Sequence, residues 1–126
     1  MATLVKCKDT NTPDVLTVAK NNKDEYTFVS INVNINKVGD EYEWDSLILP
    51  DFALNNIHNA DLNTKYGVLV AHIVKAYYDD NRTTAILSNY LLDMNNDEYK
   101  SEFDELQQIR RMAKDTAKHI IQLNIF

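Results

Sequence analysis

Three histidines, His58, His72 and His119, are the side chains best suited to acid–base or metal chemistry at neutral pH. Their spacing limits what they can do. None has a second ligand four residues further along, the offset that sets two imidazoles on one helix face. His72 falls beside the apolar stripe of a predicted helix, where a packed or edge histidine is a better reading than a ligand or general base. No Ser, Thr or Cys sits in a nucleophile motif. With only Gly39 and Gly67 in the chain, a glycine-rich phosphate loop is excluded. The run Asp93-Met94-Asn95-Asn96-Asp97 resembles the start of a calcium loop, with oxygen ligands at alternate positions. The later positions depart from it: Glu98 replaces the turn glycine, Lys100 an apolar residue and Asp104 the final glutamate. A helix-capping turn is the better reading. Asp79-Asp80 and Glu102-Asp104-Glu105 are carboxylate groupings of the kind found on any solvated helix face. Asn81-Arg82-Thr83 matches a glycosylation sequon, and without a secretory signal it reads as a helix cap. These residues define no catalytic, cofactor-binding or metal site. The expectation is a non-enzyme without a cofactor. An enzyme would need a pocket that gathers His58, His72 and the acidic turns from distant parts of the chain.

The elements that must position these residues divide at Pro50. Before it, apolar residues alternate at the two-residue period of strands; after it, they recur at helical spacing. Residues 3–8 and 14–20 read as short strands joined by turn chemistry at Asp9–Pro13. Val29, Ile31, Val33 and Ile35 share one strand face. Tyr42, Trp44, Ser46 and Ile48 share a face of the next strand. Pairing Ile35 with Tyr42 across a turn at Lys37-Val38-Gly39-Asp40 sets Val33 against Trp44, Ile31 against Ser46 and Val29 against Ile48. Residues 51–63 read as a loop or one short helical turn.

Three helices follow. The first runs from about Asn63 to Tyr78, with Tyr66, Leu69, Val70, Ile73 and Tyr77 as its stripe. The second runs from about Arg82 to Asp93, with Ile86, Leu87, Tyr90 and Leu91 inward and an N-cap from Asp79-Asp80-Asn81. The third starts with Asp97 and Glu98 in its first turn, where negative charge is favoured. Its stripe is Tyr99, Phe103, Leu106, Ile109, Ala113, Ala117 and Ile120. Continuous to residue 122, it spans roughly 39 Å. Segregated strands then helices predict an α+β fold, an antiparallel sheet of about four strands with a hairpin at 27–49, packed on a C-terminal three-helix unit.

Composition fits one globular domain over residues 1–126, with 44% hydrophobic and 25% charged residues. The net charge of −6 argues against nucleic acid as a partner. The densest basic patch, Arg110-Arg111 with Lys114 and Lys118, suits the C-terminal half of a helix better. No apolar run reaches the roughly 20 residues of a membrane span. The N-terminus lacks the pattern of a signal peptide. One cysteine, Cys7, leaves no intramolecular disulfide. Fifteen asparagines, with many Lys, Ile and Tyr, suggest an AT-rich coding bias.

Seven tyrosines and one tryptophan are suited to an interface, because they bury area at low entropy cost. A core that uses Tyr at its rim explains them about equally well. The apolar end Ile120-Ile121-Gln122-Leu123-Asn124-Ile125-Phe126 favours the interface reading. Tyr77, Tyr78, Leu123, Ile125 and Phe126 are therefore the expected contact residues of an oligomer.

Four stretches carry a resemblance. They are Glu43-Trp44-Asp45-Ser46-Leu47-Ile48-Leu49-Pro50, Tyr66-Gly67-Val68-Leu69-Val70, Ile86-Leu87-Ser88-Asn89-Tyr90-Leu91-Leu92-Asp93 and Tyr99-Lys100-Ser101-Glu102-Phe103. Gln107, Arg111 and Ala113-Lys114 follow. Over about residues 41–120 the chain resembles a family of small proteins of Bacteroidetes and their phages, including crAss-like phages. The matched positions are packing and capping residues, and no functional residue carries over. The resemblance implies a structural protein of the virion, a capsid, fibre or tail component made in the host cytoplasm and assembling with itself or other virion proteins. The competing expectation is a soluble assembly factor or host-interaction module.

Overall fold

A computed structural model describes residues 3–20, 22–23, 26–49 and 60–123. Four strands come first: β1 (Thr3–Asp9), β2 (Leu16–Lys20), β3 (Tyr26–Val38) and β4 (Glu41–Leu49). Three helices follow: α1 (Leu62–Tyr77), α2 (Asp80–Leu92) and α3 (Asp97–Gln122). The strands form one antiparallel sheet in the order β1-β4-β3-β2. This is the α+β arrangement that the patterning predicts.

Each helix starts where a short polar side chain can take up an orphan backbone N–H. Asp61 accepts from Thr64 N at 2.7 Å, Asp79 from Arg82 N at 2.6 Å and Asn96 from Tyr99 N at 3.1 Å. The cap of α2 is thus Asp79; Asn81 of the sequon lies inside the helix. Asp93 accepts from Asn95 N at 3.2 Å, so the calcium-like run is the turn that leads into α3.

One face of the sheet carries the core. Val29, Ile31, Val33, Leu47 and Leu49 pack with Leu69 and Ile73 of α1 and with Ala113, Ala117 and Ile120 of α3. Leu4, Leu16 and Val18 complete that face from the outer strands. Ala113 and Ala117 are fully buried, and their small size lets α3 lie close along α1. The stripes predicted for α1 and α3 supply these residues. Among the described residues, no helix is long and apolar enough to cross a membrane.

The hairpin departs from its expected register. Val29 pairs with Leu49, Ile31 with Leu47 and Val33 with Asp45, each one position from the pattern-based pairing. Two features cause the slip. The turn is only Gly39-Asp40, with Gly39 at a φ of 63°, so β3 and β4 run on to Val38 and Glu41. A bulge then sets two residues of β3, Asn34 and Ile35, against Trp44 alone. Asn34 takes a φ of 54°, a left-handed conformation that asparagine tolerates better than most residues.

A one-residue slip exchanges the faces of β4. Leu47 and Leu49 become the buried residues, whereas Trp44 and Ile48 lie half-buried on the side away from the helices. This register buries Leu47 and Leu49 in place of Ser46 and Ile48, and it brings Asp45 rather than Trp44 to the core face, where the carboxylate has to be met by donors. Ser46 and Asn32 pair on the other face and satisfy each other, with Ser46 Oγ donating to Asn32 Oδ1 at 2.5 Å.

Candidate interaction surface

Asp45 is a carboxylate carried onto the core face by the observed register. Its residue exposure is only 6%. Lys6 Nζ reaches Oδ1 at 2.6 Å, while Tyr77 Oη and Asn34 Nδ2 donate to Oδ2 at 2.6 and 3.0 Å. Burial works to raise the Asp45 pKa, but the hydrogen bonds from Lys6, Tyr77 and Asn34 outweigh it and leave the pKa below the ordinary value. Burial, then the neighbouring carboxylate, pushes the Tyr77 hydroxyl upward. With a protonated hydroxyl and an ionised acceptor already paired, the cluster is built as a clamp between α1 and the sheet.

That clamp gives Tyr77 an intramolecular task, and its ring packs against the core. Tyr78 is half-buried just beyond α1; burial and the nearby Glu105 raise its hydroxyl pKa. Leu123 is 43% exposed and closes α3, its N–H bonding to the carbonyls of His119 and Ile120. Ile125 and Phe126, the remaining expected contact residues, lie outside the described residues. Ile121 packs against the core, so a cut that removes it also removes a core contact.

A group of exposed apolar side chains sits elsewhere. Leu91 is 70% exposed, Leu92 80% and Met94 53%, all at the corner where α2 turns into α3. The sequence pattern puts Leu91 inward, and here the structure differs. The packing partner of α2 is chiefly α3, so only a narrow strip of it is covered. Ile86 is buried, and Tyr90 stacks on Phe103 with ring centroids 4.0 Å apart and planes 6° from parallel. Leu91 falls just outside that strip. From Thr83 to Leu92 the helix carries no charged residue.

The histidines do not come together. His72 is half-buried on α1, His119 is exposed on α3, and His58 lies outside the described residues. Among the described residues, His72 Nδ1 is buried without a hydrogen-bond partner, and burial, assisted by Lys75, lowers its pKa. No group of three His, Cys, Asp or Glu among the described residues is placed to hold a metal ion. Sequence reasoning missed the Asp45 clamp. Its signal was the parity of Asp45 with Leu47 and Leu49, visible once those two leucines are taken as the core residues. No protein-family model, curated protein or solved structure matches the chain.

Proposed function

We propose that the chain is a non-enzymatic structural component of a phage particle that acts through assembly with further copies of itself. The observation that supports assembly is the exposed pair Leu91 and Leu92 at the end of a charge-free stretch of α2, with exposed Met94 beyond Asp93 in the turn that follows. Large apolar side chains left exposed at one corner of a fold are candidates for a contact site. A second copy is the occupant that charge favours. Two chains of net charge −6 repel one another, and the repulsion is weakest where they meet on an uncharged face. In a two-fold contact the same leucines would face each other. Completing their burial on both copies is worth about 6–12 kcal/mol, against an association cost of about 4–15 kcal/mol. The patch therefore supports weak, concentration-dependent association, as suits subunits that accumulate before they assemble. The phage setting rests on the resemblance over residues 41–120.

Light scattering of the full chain across a concentration series tests this. The expected result is a defined oligomer that Leu92→Glu converts to monomer with an unchanged circular dichroism spectrum. A monomer at every concentration overturns self-assembly. An oligomer indifferent to Leu92→Glu overturns the role of this corner.

A further inference from the structure

We infer that the face of the sheet turned away from the helices binds a neutral saccharide, with one sugar ring stacked on Trp44. This inference is independent of the assembly reading. A shallow basin of about 290 Å³ lies on that face, lined by Asp14, Thr17, Ser30, Asn32, Trp44 and Ser46, among others. Its size is close to the lower end for small-molecule sites.

The basin is built by the observed register. The pairs Thr17–Ser30 and Asn32–Ser46 bring their polar side chains to one face. Trp44 Nε1 donates to Ser46 Oγ at 3.2 Å, and the Ser46 hydroxyl in turn donates to Asn32 Oδ1. The indole is thereby pinned by its polar edge, and what it offers the basin is apolar ring carbon. Asn32 Nδ2 donates one hydrogen to the Asp14 carbonyl at 2.6 Å, which ties the loop bearing Asp14 to the basin floor and leaves that nitrogen a second hydrogen. Thr17 Oγ1 makes no hydrogen bond among the described residues, and its residue is exposed.

These groups select a ligand class. Among the described residues Asp14 is the charged residue of the lining, and its carboxylate disfavours an anion there. Its carboxylate needs a donor, the Asn32 amide needs an acceptor, and the Thr17 hydroxyl can act as either. Vicinal hydroxyls satisfy all three, because each donates and accepts. A simple cation satisfies only the carboxylate and the ring. The C–H face of a pyranose supplies the apolar surface that stacks on an indole.

Trp44 is the single tryptophan of the chain, and it borders both the basin and a neighbouring cleft beside Lys6 and Lys8, so its emission reports binding at either and the Asp14 and Thr17 variants assign the response to the basin. Full-length protein is titrated with glucose, galactose, mannose, N-acetylglucosamine and their short oligomers, with choline chloride and sodium sulfate in parallel. The expected result is a saturable emission change with at least one saccharide. Asp14→Asn and Thr17→Val are each expected to weaken it about tenfold or more while the unfolding midpoint holds. Asp14 is exposed, so its variant remains folded and informative. No response to any saccharide overturns the inference. So does a response to choline or sulfate alone, or saccharide binding that both variants leave unchanged.

Discussion

The hydroxyl of Tyr77 donates to Asp45 Oδ2 across 2.6 Å, joining the last residue of α1 to the middle of β4. Residue 45 has the same strand parity as Leu47 and Leu49, so this bond sits at the edge of the core. It also explains why a carboxylate is tolerated there, since each of its oxygens is met by a donor.

Removing the hydroxyl tests the clamp. Tyr77→Phe is expected to cost about 1–3 kcal/mol, the range for a hydrogen bond to a charged group. Asp45→Ala is expected to cost a similar amount by leaving the Tyr77 hydroxyl without its acceptor and Asn34 with Tyr77 Oη alone. The double variant should cost less than the sum, because both changes break the same bond. Urea unfolding of the three variants measures this. Lys6 contributes little, since its side chain is 76% exposed.

Acid should weaken the clamp in a defined direction. The folded Asp45 pKa lies below the ordinary 3.8, so its stabilisation is present above that value and is lost as pH falls through the folded pKa. The His72 pKa is also depressed, below 6.5, because its ring is partly buried. The neutral ring is the form that folding favours. Stability from this group is therefore full above 6.5 and declines as pH falls toward the folded pKa. Unfolding midpoints across the acid range should show both losses. His72→Leu should remove the upper one and Asp45→Asn the lower.

The bulge makes a separate demand on the backbone. Asn34→Gly and Asn34→Ala both delete the amide that serves Asp45 and Tyr77. Only alanine also strains the left-handed backbone. The glycine variant should be the more stable of the two by roughly 1 kcal/mol. Equal midpoints in urea would show that the positive φ costs nothing here.

The two sides of α2 should respond unequally. Ile86→Ala removes a buried side chain and is expected to cost about 2–4 kcal/mol. Leu91→Ser and Leu92→Ser should change stability by less than about 0.5 kcal/mol, because water already surrounds those side chains. Thermal unfolding at low concentration, where self-association is weakest, separates the two effects.

Much of the helical half could be read from the chain because its signals are local. Asp79 and Asn96 mark helix starts by side-chain bonds to amides three residues ahead, and Leu69, Ile73, Ala113 and Ala117 repeat at helical spacing. Leu91 shows the limit of that reading. Periodicity gives the direction of a side chain around its helix, but whether anything lies there depends on how far the neighbouring helix extends.

The sequence by itself determined the order of four strands and three helices and the turns that lead into α2 and α3, because each depends on residues a few places apart. Only the tertiary structure decided the hairpin register. Val29, Ile31 and Val33 are compatible with either face of β4, since apolar residues occur at both parities there: Trp44 and Ile48 on one, Leu47 and Leu49 on the other. The Gly39 turn and the Asn34 bulge resolve that tie over residues distant from the paired leucines. Helices α1 and α3 cover one face of the sheet, which buries Leu47 and Leu49, joins Asp45 to Tyr77 and leaves Trp44 on the opposite side.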